Sequence, residues 1–117
     1  MTTLSNDPTV ISNIPAVALN GEGVVVAIPT AVAPVATMTP PSAGTVVFAD
    51  GSVPNTLPGV DFTPAAGQAG TSVTIKLTVT NADGTTVDIV DTYTIGVPDG
   101  KVVSGSFNNA GITTRPA

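Results

Sequence analysis

The sequence contains no histidine, no cysteine and no tryptophan, and only 9% of its residues are charged. The lack of histidine removes the commonest general base, the Ser-His-Asp relay and the commonest metal ligand. The lack of cysteine rules out a disulfide framework and thiolate zinc sites, and leaves the compartment open. Basic residues are almost missing: Lys76, Lys101 and Arg115 stand against eight acidic residues, for a net charge of -5. A nucleic-acid binder needs a basic face to displace counterions, and docking on anionic lipid needs the same. Neither partner is expected. No Walker loop or dinucleotide fingerprint is present, because the glycines are dispersed as turn residues. Long apolar runs are lacking too. The most apolar stretch, Gly23 to Met38, is too short for a membrane-spanning helix and is interrupted by Pro29 and Pro34. The first residues, Met1 to Asp7, have neither the basic nor the apolar region of a signal peptide. The expectation is a chain made to act in the cytosol, or to leave the cell by lysis or a dedicated machine.

What is present points to β-structure. The 117 residues fit one domain, large enough to bury a core without staples. Hydrophobic residues make up 42% of the chain, whereas soluble domains usually carry about 25% charged residues. Neutral groups must therefore supply the polar surface, and threonine, at 19 positions, supplies most of it. Threonine, valine and isoleucine are stiff at χ1 and pack well on a pleated sheet. Twelve glycines and eleven prolines break any long helix, and no window carries a capped apolar stripe of helical period.

Residues 1–42 form a distinct block, rich in Ala, Val, Thr and Pro, with Asp7 and Glu22 as its charges and no aromatic. Val24-Val25-Val26-Ala27-Ile28 reads as a buried strand, while the prolines at 8, 15, 29, 34, 40 and 41 limit pairing to short or edge segments. The block either supplies the first strands of a sandwich or forms an extended arm that orders on a partner. The first is favoured, since valine-rich runs are costly to leave in water. From Gly44 the pattern sharpens. Thr45-Val46-Val47-Phe48 and Val60-Asp61-Phe62-Thr63 read as short strands, with a tight turn at Asp50-Gly51 and a loop from Pro54 to Pro58.

The strongest segment is Thr71 to Val97. Val73, Ile75, Leu77 and Val79 alternate with Thr74, Lys76, Thr78 and Thr80, a strict period of two. Asn81-Ala82-Asp83-Gly84 predicts a hairpin turn. The return strand places Val87, Ile89, Tyr93, Ile95 and Val97 on one parity, but Asp91 shares it. An unpaired buried carboxylate costs several kcal/mol. The pattern therefore predicts either a β-bulge near Val90-Asp91 or a strand edge at which Asp91 reaches water. After a turn at Pro98-Asp99-Gly100, Lys101 to Phe107 reads as a final strand and Asn108 to Ala117 as a polar extended tail.

The run from Phe62 through Thr86, followed by Thr92-Tyr93-Thr94-Ile95, resembles the closing half of bacterial and phage Ig-like domains, over about residues 44–97. In those domains alternating Val and Thr lead into Asn-Ala-Asp-Gly and a strand ending in Tyr-Thr-Ile. The resemblance implies an antiparallel two-sheet Ig-like β-sandwich, without the cysteine pair and core tryptophan of eukaryotic Ig domains. The whole chain also resembles head-decoration and other virion accessory proteins of tailed phages, which are often short, cysteine-free and rich in Thr, Val, Ala and Gly.

Carboxylates are the remaining candidates for chemistry. Asp88 and Asp91 lie close on one strand, with Asp61 and Asp83 elsewhere, but aspartates at turns and on solvated strands need no catalytic explanation. Asp50, Asp83 and Asp99 occupy Asp-Gly turns at strand ends, where oxygen ligands for calcium could converge, yet each lies singly, without the clustered spacing of a dedicated loop. No catalytic, cofactor-binding or metal residue is therefore assigned, no cofactor is expected and the chain is read as non-enzymatic. Tyr93 is read as core by its parity with Ile95, and Phe107 as either core or contact.

These readings combine into an extended tail at 1–7, an Ig-like β-sandwich at 8–107 that is clearest at 44–107, and an extended tail at 108–117. The expected function is that of a structural virion protein, a decoration or cementing protein on the outside of a phage capsid, assembled in the host cytoplasm. Its partners would be the major capsid protein or other virion subunits, and a homo-oligomer is compatible with this. The alternative is a module of a tail fibre or adhesin that binds carbohydrate or another surface.

Overall fold

The computed structural model describes residues 2–96 and 105–116. The chain is all-β. Among the described residues nine strands follow in order: β1 (Thr2–Leu4), β2 (Ser12–Pro15), β3 (Ala18–Leu19), β4 (Val25–Val26), β5 (Val35–Thr39), β6 (Gly44–Ala49), β7 (Gly59–Pro64), β8 (Ser72–Thr80) and β9 (Thr86–Ile95). Single 3-10 turns lie at Pro41–Ala43 and Asn109–Gly111. One sheet has the order β1-β9-β8-β5, another β2-β7-β6, and β3 and β4 form a separate small hairpin. Every pairing is antiparallel except that of β1 with β9.

The period-two pattern of β8 becomes its burial pattern: Val73, Ile75, Leu77 and Val79 are buried, and the residues between them are not. β7 behaves alike, with Val60, Phe62 and Pro64 buried and Asp61 and Thr63 half-buried. These two strands face one another through a single core that also takes in Leu4, Met38, Ala43 and Ile95. Phe62, Leu77, Ile95 and Val73 are its largest fully enclosed side chains. Each is worth about 1.5–3 kcal/mol relative to exposure. Between β8 and β9 the turn closes through the Asn81 N–H to the Thr85 carbonyl at 2.8 Å, with Gly84 at φ 86°. That left-handed conformation suits glycine and matches the strand twist.

Several expectations are corrected. No bulge interrupts β9: its register against β8 runs unbroken from Thr86 opposite Thr80 to Thr94 opposite Ser72. The other expectation for Asp91 describes the structure, since the residue is exposed at a strand edge. Val24 to Ile28 is not a buried strand. Val25 and Val26 pair with β3, but Val24, Val25 and Val26 all face solvent, because no second layer covers this hairpin. At the N-terminus, Thr2–Leu4 lies inside the larger sheet rather than in a tail, and Leu4 is buried. Its register beside Tyr93, Thr94 and Ile95 is set by hydrogen bonding and by the apolar site that receives Leu4. Gly105 to Phe107 forms no strand and is exposed, and the rest of the expected final strand, 101–104, lies outside the described residues.

Candidate functional site

The two sheets do not cover one another fully. Val87, Ile89, Asp91 and Tyr93 of β9 stand opposite Val79, Leu77, Ile75 and Val73 of β8 and share their inner face. The β8 row is buried. In the β9 row Tyr93 and Ile89 are half-buried, and Asp91 and Val87 are exposed. The opposite wall comes from the strand and connection that follow Ser12. Ile14, Pro15 and Ala16 flank a narrow cleft of about 50 Å³ beside Ile89, Asp91 and Tyr93. Towards the β8–β9 turn it gives way to a groove of about 330 Å³, walled by Val17, Leu19, Val26 and Pro29 on one side and by Val79, Val87 and Ile89 on the other. Ile89 lines both, so cleft and groove lie side by side along β9 and together make up a mostly apolar channel.

This channel borders an open strand edge. β1 pairs only with Tyr93, Thr94 and Ile95, and among the described residues no strand pairs with the same edge of β9 from Thr86 to Thr92. Unpaired backbone donors and acceptors beside an apolar groove form a template for an added strand.

The β3–β4 hairpin adds a second apolar feature. Asn20 builds its tip: the Oδ1 atom accepts the N–H groups of Glu22 at 2.9 Å and Val24 at 3.1 Å, and its own N–H donates to the Val24 carbonyl at 2.9 Å. Between Val10 and Val35, nine valine, leucine and isoleucine side chains are exposed, Val25 at 68%, with Glu22 the one charge among them.

The carboxylates are held locally. Asp7 accepts the N–H and the hydroxyl of Thr9, at 2.9 and 2.8 Å, and Asp83 accepts those of Thr85, at 3.0 and 2.6 Å. The Ser52 N–H donates to Asp50 at 2.9 Å. The backbone N–H and then the hydroxyl of Thr9 hold Asp7 below the usual carboxylate range. For Asp50 and Asp83 the hydroxyls of Ser52 and Thr85 are the larger cause of the same lowering, ahead of the corresponding amides. These bonds make the aspartates turn-builders. Asp88 and Asp91, three positions apart, point to opposite faces of β9, and Asp88 accepts the Thr78 hydroxyl at 2.8 Å. A further concavity of about 370 Å³ is bordered by Asp50 and Asp61, but Asp61 accepts the Asn13 side-chain amide at 3.0 Å. Among the described residues no three acidic groups converge as a cation site, and Asp99 lies outside them.

Tyr93 packs partly against the core, and burial, followed by the nearby Asp91 charge, pushes its phenol up from the ordinary value. Phe107 is 95% exposed. The open channel was missed at the level of sequence, although its signal was there: Asp91 on an otherwise apolar parity marks where the inner face meets water. No family model, curated protein or solved structure matches this chain.

Proposed function

We propose that this chain is a non-enzymatic structural protein of a virion, that its two sheets form an Ig-like β-sandwich, and that it binds the outside of a phage capsid as a decoration or cementing protein. The observation that carries the binding role is the exposed aliphatic stretch from Val10 to Val35. Nine exposed large aliphatic side chains in so short a stretch, almost free of charge, leave apolar area in water that burial against a partner removes. The hairpin within it has strands of two residues, and an isolated hairpin is marginally stable in water. A partner surface stabilises it and is gripped by it. The low charge keeps the desolvation cost of docking small. The capsid setting rests on the resemblance to virion accessory proteins. Many identical sites on a shell make weak single contacts sufficient.

The test is co-sedimentation of the full chain with capsid shells assembled from the major capsid protein of the same genome, beside a glycan-binding screen. Saturable shell binding that Val25→Asp and Val17→Asp weaken at least tenfold, with the fold unchanged by circular dichroism, supports the reading. Specific glycan binding without shell binding replaces it with the tail-fibre or adhesin alternative, for which one fully exposed aromatic, Phe107, offers little stacking surface.

A further inference from the structure

We infer that the open edge of β9 and the channel beside it receive the segment around Phe107 from a second copy of this chain, so that copies join by strand addition. The acceptor is the backbone of Thr86 to Asp91, six residues or roughly 20 Å of edge that no strand among the described residues pairs with. Its inner side opens onto the groove of about 330 Å³ between Val87, Ile89, Val17 and Leu19, large enough for a phenyl ring. The donor is Gly105 to Ile112. In the sequence its first residues belong to a stretch with strand character, yet among the described residues Gly105 to Phe107 pairs with no strand. All of residues 105–116 is exposed, Phe107 at 95% and Ile112 at 72%. The hydrogen bonds of the 3-10 turn, from the Gly111 N–H to the Asn108 carbonyl and from the Ile112 N–H to the Asn109 carbonyl, are local. The described part of the donor lines no part of its own groove.

Charge selects the same pairing. Two of the three basic residues, Lys101 and Arg115, flank the donor, with Asp99 the one acid beyond Ile95. The acceptor strand carries Asp88 and Asp91, both exposed. Opposite charges on donor and acceptor favour a second copy over an unrelated apolar segment. When Phe107 enters the channel, Ser106 and Asn108 turn to the outer face, beside the row of Asp88 and Val90. Joined donor to acceptor, copies form a head-to-tail contact, which closes into a ring or runs on as a chain. This contact needs no capsid, although Val17 and Leu19 belong to both surfaces, and it is tested here in the absence of shells.

The absence of native cysteine makes the test clean. Ser106→Cys is mixed in separate samples with Asp88→Cys, Val90→Cys and, as a control, Thr45→Cys on the other sheet, and each is mildly oxidised. The expected result is a severalfold excess of Ser106–Asp88 and Ser106–Val90 cross-linked dimers over the control. Phe107→Ser should weaken association in sedimentation by about tenfold to a hundredfold while leaving the thermal midpoint of the body unchanged. Cross-linking no greater than the control overturns the inference, as does a monomer at every concentration reached. A Ser106→Cys/Asp88→Cys double variant that closes within one chain, independent of dilution, also overturns it, by making the chain's own segment the occupant.

Discussion

Ile75 stands directly opposite Asp91 across the β8–β9 ladder, yet Ile75 is 5% exposed and Asp91 faces water. Facing residues of an antiparallel pair share a side of the sheet. The contrast therefore measures where cover from the second sheet ends: β8 lies under it and β9 lies at its rim. Asp91 needs no buried partner because the channel beside it is open, and its Oδ1 accepts the Thr92 N–H at 2.8 Å.

Asp91→Val should stabilise the fold. A β-branched side chain opposite Ile75 gains cross-strand contact where aspartate is a poor strand former, by roughly 0.5–1 kcal/mol. Urea denaturation checks this through a higher midpoint at unchanged slope.

Tyr93, the one tyrosine, should titrate above its ordinary value of about 10. Burial is the larger cause and the Asp91 charge the smaller, so Asp91→Asn should lower the value only in part. Because the folded state holds this proton more tightly, its contribution to stability is complete below pH ~10 and is lost as pH rises through the raised value. Absorbance titration of the phenolate reads both variants directly.

Acid should loosen the turns. Asp7, Asp50 and Asp83 are held below the usual carboxylate value by their threonine and serine neighbours. The folded state therefore favours their ionised forms. That contribution is present above the unfolded value of about 3.9 and is lost as pH falls through the lower folded values. Carboxyl carbon shifts followed by NMR should show these three titrating below the ordinary aspartate value, and Thr85→Val should return Asp83 part of the way towards it.

Core and surface aromatics should separate sharply. Phe62 is fully enclosed, and Phe62→Ala should cost about 3–5 kcal/mol through lost burial and an incompletely collapsed cavity. Phe107→Ala, in the exposed C-terminal segment, should change the stability of the isolated chain by no more than about 0.5 kcal/mol. Equilibrium denaturation of the two variants provides the comparison.

Gly59→Ala should destabilise by about 1–3 kcal/mol, read by thermal unfolding. A Cβ at Gly59 would fall on the Ile14 carbonyl oxygen and lie 2.8 Å from the Ala16 nitrogen. The pairing of β2 with β7 depends on that close approach.

Much of the fold was legible in order along the chain. The alternation at Val73 to Val79 gives a strand with one buried face, because a pleat sends successive side chains to opposite sides. Asn81 to Gly84 gives the turn, since the chain must pass through a left-handed conformation there. The shortage of charge and the abundance of Thr, Gly and Pro give an all-β chain whatever its packing. These are local properties, carried by neighbours in sequence. The burial of Leu4 and the exposure of Val24 to Val26 are not. Leu4 and the three valines are all apolar side chains, but tertiary structure placed a layer over one and none over the others. The same holds along β9: parity assigned Val87, Ile89, Asp91 and Tyr93 to one face, and only the reach of the opposing sheet decided which part of that face became core and which an open channel. Parity is fixed by the backbone of a single strand, whereas cover depends on the width and register of a second sheet built from distant residues.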